Sequence, residues 1–213
     1  MKSFFQNGQT VLFQGDSVTD CGRDYNDIHS LGNGYPYKIA EIYHSLFPLN
    51  TVHFINKGVN GNRSKDLLDR YEADFKAIHP DFISILIGIN DCWRRYNSSS
   101  DPTSCAQFES NYRTLLQKIK ADMPHAKIML IEPFVLPSLP DRNSWHEDLD
   151  PKINAVRSLA REYADYLLPM NGIINAASVG KYTCEELSQD GVHPLPAGHA
   201  AIADAYLRTL GIL

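Results

Sequence analysis

Five short apolar runs, each followed by a stretch of helical period, restrict the fold of this chain more than any other feature. The runs are residues 11–13, 52–55, 82–87, 128–131 and 166–168. The third, Phe82-Ile83-Ser84-Ile85-Leu86-Ile87, is almost continuously apolar, as expected of a central strand covered on both faces. Between the runs the period changes. Ile39, Ile42, Tyr43, Leu46 and Phe47 form one helical stripe. Leu67, Leu68, Tyr71, Phe75 and Ile78 form a second, with Ser64 as its N-cap and its end before Pro80. Tyr112, Leu115, Leu116 and Ile119 make a third; Ile153, Val156, Ala160 and Tyr163 a fourth; Ile202, Tyr206 and Leu210 the last. Strand and helix alternating about five times predict an α/β fold, a five-stranded parallel sheet with helices on both faces. No repeat or composition shift divides the 213 residues, so one domain spanning 1–213 is expected. Residues 97–103 and 133–150 read as loops.

Composition removes several classes of function. Hydrophobic residues make up 43% and charged residues 21%, which excludes a disordered or fibrous chain. The net charge of −5 argues against a dedicated nucleic-acid backbone binder. No apolar run reaches the ~18 residues of a membrane span, and the N-terminus lacks a secretory pattern. A cytoplasmic protein without a membrane partner is therefore expected. Cys21, Cys92, Cys105 and Cys184 form no C-x-x-C pair and read as reduced thiols. There is no H-E-x-x-H and no P-loop, and Gly32-x-Gly34 lacks the third glycine of a dinucleotide fingerprint. Metal and nucleotide sites are not expected, and no cofactor is implied. Asp66, Asp69, Asp148 and Asp150 read as solvated helix-end charges.

In an open α/β sheet, ligands sit beyond the carboxyl ends of the strands. Four small-plus-polar clusters fall there or just before the last helix: Gly15-Asp16-Ser17, Asn56 to Asn62, Gly88-Ile89-Asn90-Asp91, and Asp190-Gly191-Val192-His193-Pro194. Ser17 follows a strand through a glycine, which lets its hydroxyl project at the sheet edge. Thr19 stands where the G-x-S-x-G elbow needs its second glycine, so an α/β-hydrolase is disfavoured. A serine nucleophile needs an imidazole to take its proton, and that imidazole needs an acceptor to hold its tautomer. His193 and Asp190 suit those tasks, with His199 as the competing base. Asn90 and Gly61 can supply N–H donors to an oxyanion.

These four ordered blocks resemble the SGNH-hydrolase, or GDSL esterase/lipase, superfamily over nearly the whole chain, from Gly15 to the final helix. The resemblance implies a flavodoxin-like three-layer α/β/α sandwich. It implies Ser17, His193 and Asp190 as nucleophile, base and orienting acid, with Ser17, Gly61 and Asn90 as the oxyanion hole. Gly58 is the alternative glycine, and Val18 replaces the leucine usual in the nucleophile block. Gly15 to Arg23, Asn56-Lys57-Gly58, Gly88 to Trp93 and Pro196 to His199 resemble the bacterial acetylxylan-esterase-like branch. That implies acetyl ester hydrolysis on xylose-based oligosaccharides. Trp93, Arg94 and Tyr96 are the candidates for an acyl or sugar wall. Short-chain acyl esters, lysophospholipids and thioesters are alternative substrates, and a non-catalytic ligand-binding subunit is the alternative of another class. Self-association stays open, with no interface residue assigned.

Overall fold

The computed structural model describes residues 3–97 and 101–213. The chain runs β1 (Thr10–Gly15), α1 (Ser17–Asp20), α2 (Tyr35–Leu46), β2 (His53–Asn56) and α3 (Ser64–Asp69). A π-helical turn, Glu72–Lys76, precedes β3 (Phe82–Leu86), α4 (Ile89–Tyr96), α5 (Cys105–Asp122) and β4 (Lys127–Ile131). A 3₁₀ turn, Arg142–Trp145, runs into α6 (His146–Tyr163). Then come β5 (Tyr166–Leu168), α7 (Met170–Ala177), α8 (Cys184–Leu187) and α9 (Pro196–Thr209). The strands form one parallel sheet in the order β2-β1-β3-β4-β5. That is the flavodoxin-like order, which reverses direction at β1/β3 and opens a crevice there.

Strand alternation sorts the core into two layers. Val11, Phe13, Phe82, Leu86, Met129 and Ile131 face α2 and α9, where Tyr35, Ile39, Tyr43, Ile202 and Tyr206 are fully buried. Leu12, Ile83, Ile85, Ile128 and Leu130 face Leu67 of α3, Leu115 of α5 and Val156 of α6. Each such apolar side chain contributes roughly 1.5–3 kcal/mol by leaving water. Gln14 is buried on the second face, where its Nε2 donates to the Asp74 carbonyl in the π-helical turn at 2.7 Å. Among the described residues, no helix is long and apolar enough to cross a membrane, and the four cysteines are unpaired.

Several sequence expectations are corrected. Ser64 is not the cap of α3 but its first residue; Arg63 caps, its N–H donating to Asp66 Oδ2 at 2.8 Å. The expected loop 133–150 ends early, because Arg142–Trp145 is a helical turn and α6 starts at His146 and continues through Pro151. Within the other expected loop, residues 98–100 lie outside the described residues. Asp148 is not solvated: it is 8% exposed and pairs with Nζ of the fully buried Lys152 and, at 3.4 Å, with Arg95. Helices α1, α4, α7 and α8 have no counterpart among the five helical stripes of the sequence.

Candidate active site

Ser17, Asn60, Asn90, Trp93, Arg94, Asn97 and His193 line a cleft of about 200 Å³ at the carboxyl end of the sheet. Ser17 opens α1 immediately after β1, and Asn90 lies in the first turn of α4 after β3. These are the adjacent central strands where the sheet reverses direction. Gly88 makes the second placement feasible, since its φ of +129° between β3 and α4 is one that side chains resist. A wider depression of about 490 Å³ lies beside Ser3 and Leu49, but among the described residues no imidazole or carboxylate lines it.

His193 reaches the cleft from a loop 176 residues downstream of Ser17. Its Nε2 is 2.9 Å from Ser17 Oγ, and its Nδ1 is 2.6 Å from Asp190 Oδ2. The proton assignment follows from chemistry. Burial raises the Asp190 pKa, but hydrogen bonds from the His193 ring and from the His193 and Val192 N–H groups outweigh it. They hold the carboxyl well below the usual range. An ionised carboxylate only accepts, so Nδ1 carries the proton and Nε2 presents a lone pair to the Ser17 hydroxyl. The Asp190 hydrogen bond in turn raises the His193 pKa above the ordinary 6.5, against burial. Asp16 caps α1, its Oδ1 accepting from Val18 N–H at 3.0 Å. Burial pushes its carboxyl up to about 7, opposed by that bond and by the charge of His193.

The groups expected to donate to an oxyanion make fewer contacts. The Ser17 and Gly61 N–H groups donate to no acceptor among the described residues. Asn90 Nδ2 gives one hydrogen to the Asn62 carbonyl at 3.1 Å, leaving its second. Asn60 rather than Gly61 lines the cleft, and the Gly61 N–H belongs to the peptide leaving Asn60. The Gly58 N–H, by contrast, donates to Asn56 Oδ1 at 2.8 Å. His199 is 4% exposed, accepts from Tyr35 N–H and faces Cys21 Sγ at 3.2 Å; burial pushes its pKa down to about 4. It is therefore not the partner of Ser17. Trp93 and Arg94 line the cleft. Tyr96 does not: it stacks on Trp145 and donates to the Ser144 carbonyl at 2.8 Å. Its ring packs, with that of Trp93, against the cluster that contains Trp145.

Two residues that hold this geometry, Arg142 and Ser188, are not among the sequence candidates. Arg142, 7% exposed, donates from Nε to the Asp190 carbonyl at 2.7 Å and lies 4.1 Å from the Trp145 ring centroid. Ser188 donates to Asp190 Oδ1 at 3.1 Å, and its place two residues before the aspartate was the one available signal. Asp91 accepts from the Ser64 N–H and hydroxyl, tying α3 to α4; burial pushes its carboxyl up to about 6. Gly191, at φ +81°, brings the Asp190–His193 turn against the 136 region, where an added Cβ would lie 2.3 Å from the Leu136 carbonyl oxygen. Gly191→Ala is therefore expected to cost roughly 1–3 kcal/mol for the overlap and roughly 1 more for the backbone. A calorimetric Tm on the order of 10 °C lower is the expected result; an unchanged Tm would contradict it.

Parallel-sheet architecture and a serine–imidazole–carboxylate chain at its rim are the features of a carboxylic ester hydrolase. Residues 13–201 match the model of the GDSL-like lipase/acylhydrolase family, and the chain belongs to that family. It is 32% identical to the acetylxylan esterase of Geobacillus stearothermophilus, an alignment covering 96% of this chain and 95% of that one. The crystal structure of that esterase, Axe2, superposes with a TM-score of 0.88 at 31% identity over 97% of this chain and 95% of that one. A protein described as a GDSL-like lipase from Parabacteroides merdae matches at TM-score 0.91 and 30% identity, covering 100% of both chains.

Proposed function

We propose that this hydrolase removes acetyl groups from xylose-based oligosaccharides through an acetyl-Ser17 intermediate. The observation that carries the proposal is the continuous hydrogen-bonded path from Ser17 Oγ through His193 to Asp190, open to the cleft. Ser17 Oγ attacks the ester carbonyl carbon as its proton passes to His193 Nε2, and the carbonyl electron pair moves onto oxygen. The oxyanion takes hydrogen bonds from the Ser17 and Gly61 N–H groups and from Asn90 Nδ2, each worth roughly 3–4 kcal/mol in comparable sites. Asp190 stabilises the imidazolium. Collapse breaks the bond to the sugar oxygen, which leaves with the proton from His193. Water then repeats the sequence on the acetyl-serine and releases acetate.

Support for the substrate comes from the Geobacillus relative, an acetylxylan esterase also described as an acetyl-xylooligosaccharide esterase. Alanine replacements of a serine, a histidine and an aspartate in it are described as catalytic mutants. The small cleft, walled by the Trp93 indole, suits a short acyl group. The test is acetate release from acetylated xylo-oligosaccharides, beside p-nitrophenyl esters from acetate to decanoate. Fast release from the sugar and a steep fall beyond short chains are expected. Activity rising toward long chains, with none on the sugar, would move the substrate to lipids or thioesters.

A further inference from the structure

One wall of the cleft is a single face of α4 and its C-cap, on which Asn90, Trp93, Arg94 and the capping Asn97 recur at i, i+3, i+4 and i+7. Arg94 is half-buried there. Among the described residues it makes no hydrogen bond, ion pair or ring contact, whereas Arg63 pairs with Asp101, Arg70 with Asp74 and Arg157 with Glu132. Arg161, which has no such partner either, is exposed. Among the described residues, no acid lines the cleft. The Asp190 carboxylate is committed to Ser188, Val192 and His193. The carboxylate of Asp101 feels Arg94 but is hydrogen-bonded to Arg63 at 2.9 Å. The next three residues after Asn97 are serines, which bring no charge. A guanidinium fork facing an ester site with no acid hydrogen-bonded or ion-paired to it among the described residues is matched by a planar anion, and by a carboxylate best of all.

We propose that Arg94 recognises a carboxylate on the substrate, so that the preferred ester is acidic. The inference rests on the reading of Ser17 and Asn90 as the ester-cleaving site. Arg94 stands one helical turn, ~6 Å along the axis, from Asn90, so the carboxylate belongs about that far from the ester carbonyl. It is supplied either by a uronate or other acid on the leaving group, or by the far end of a dicarboxylic half-ester.

Matched pairs separate these sources: acetylated xylo-oligosaccharides with and without a glucuronosyl branch, 4-acetoxybenzoate against its methyl ester, and p-nitrophenyl hydrogen adipate against p-nitrophenyl hexanoate. The readout is the ratio of kcat/KM, acidic over neutral. The expected result is a ratio about tenfold or more above one in at least one pair, falling as salt is raised. Arg94→Ala should bring that ratio down about tenfold, and Arg94→Lys should retain part of it. A ratio near one in every pair overturns the proposal without any variant, and so does a ratio that Arg94→Ala leaves within twofold. If neutral esters are turned over in a Ser17-dependent way while the ratios are flat, only this inference fails. Turnover independent of Ser17 removes the underlying reading as well.

Discussion

Ser17→Ala is expected to lower ester turnover by about 10⁴-fold or more while leaving the thermal transition within about 2 °C. The asymmetry follows from what the hydroxyl touches. Ser17 Oγ contacts His193 Nε2 at the open cleft, and the His193 side chain is 46% exposed. Water can therefore satisfy the ring when the hydroxyl is gone, and the core loses nothing. A surface change of this kind costs within about 0.5 kcal/mol. Hydrolysis of p-nitrophenyl acetate, calorimetry and labelling with a fluorophosphonate probe are the measurements. Residual activity above a few per cent, or an adduct on the alanine variant, would place the nucleophile elsewhere. A parent protein that takes no label would instead point to a binding subunit on the same fold.

Asp190→Asn should lower kcat by up to ~10⁴-fold, as at other sites where the acid sets the tautomer. Asp190 Oδ1 accepts from Ser188 Oγ and from the Val192 and His193 N–H groups, while Oδ2 accepts from the His193 ring. An asparagine keeps one oxygen, which the three donors of the turn will claim. Its NH₂ then faces Nδ1, the imidazole must accept there, and its proton moves to Nε2. A ring that donates toward Ser17 cannot take the serine proton. The pH dependence follows the same logic. Turnover needs a neutral His193, so the rate falls as pH drops through its pKa. The Asp190 hydrogen bond raises that pKa, placing the acid limb of the parent protein above the ordinary imidazole value of 6.5. Loss of the carboxylate charge should move the limb to lower pH. A loss below tenfold, or an unmoved limb, would remove Asp190 from the orienting role.

Much of this arrangement was legible in the residues. The five strand runs differ from the observed strands by no more than two residues at any end, because burial on both sheet faces leaves a dense apolar signature. Helix α4 was hidden although Ile89, Cys92, Trp93 and Tyr96 carry its period, since Gly-Ile-Asn-Asp also reads as a turn. Pro151 obscured the start of α6 in the same way: a proline in its second turn mimics a boundary. Asp148 was misread because its partner, Lys152, is a residue type that is seldom fully buried.

The amino-acid order by itself determined the alternation of strand and helix and the four polar blocks, since both are written in local period and spacing. Tertiary structure alone decided which of those residues meet. Ser17 and Asn90 come together because β1 and β3 lie side by side, and His193 joins them because the 190–193 turn reaches the Ser17 hydroxyl. That turn is held by Arg142, nearly fifty residues away in sequence. It also decided that His199 lies buried against Cys21, that Tyr96 faces Trp145, and that Arg94 stands in the cleft with no ion-paired acid among the described residues. Periodicity is a property of neighbours along the chain, whereas hydrogen-bond partners and desolvation depend on what the fold packs around each group.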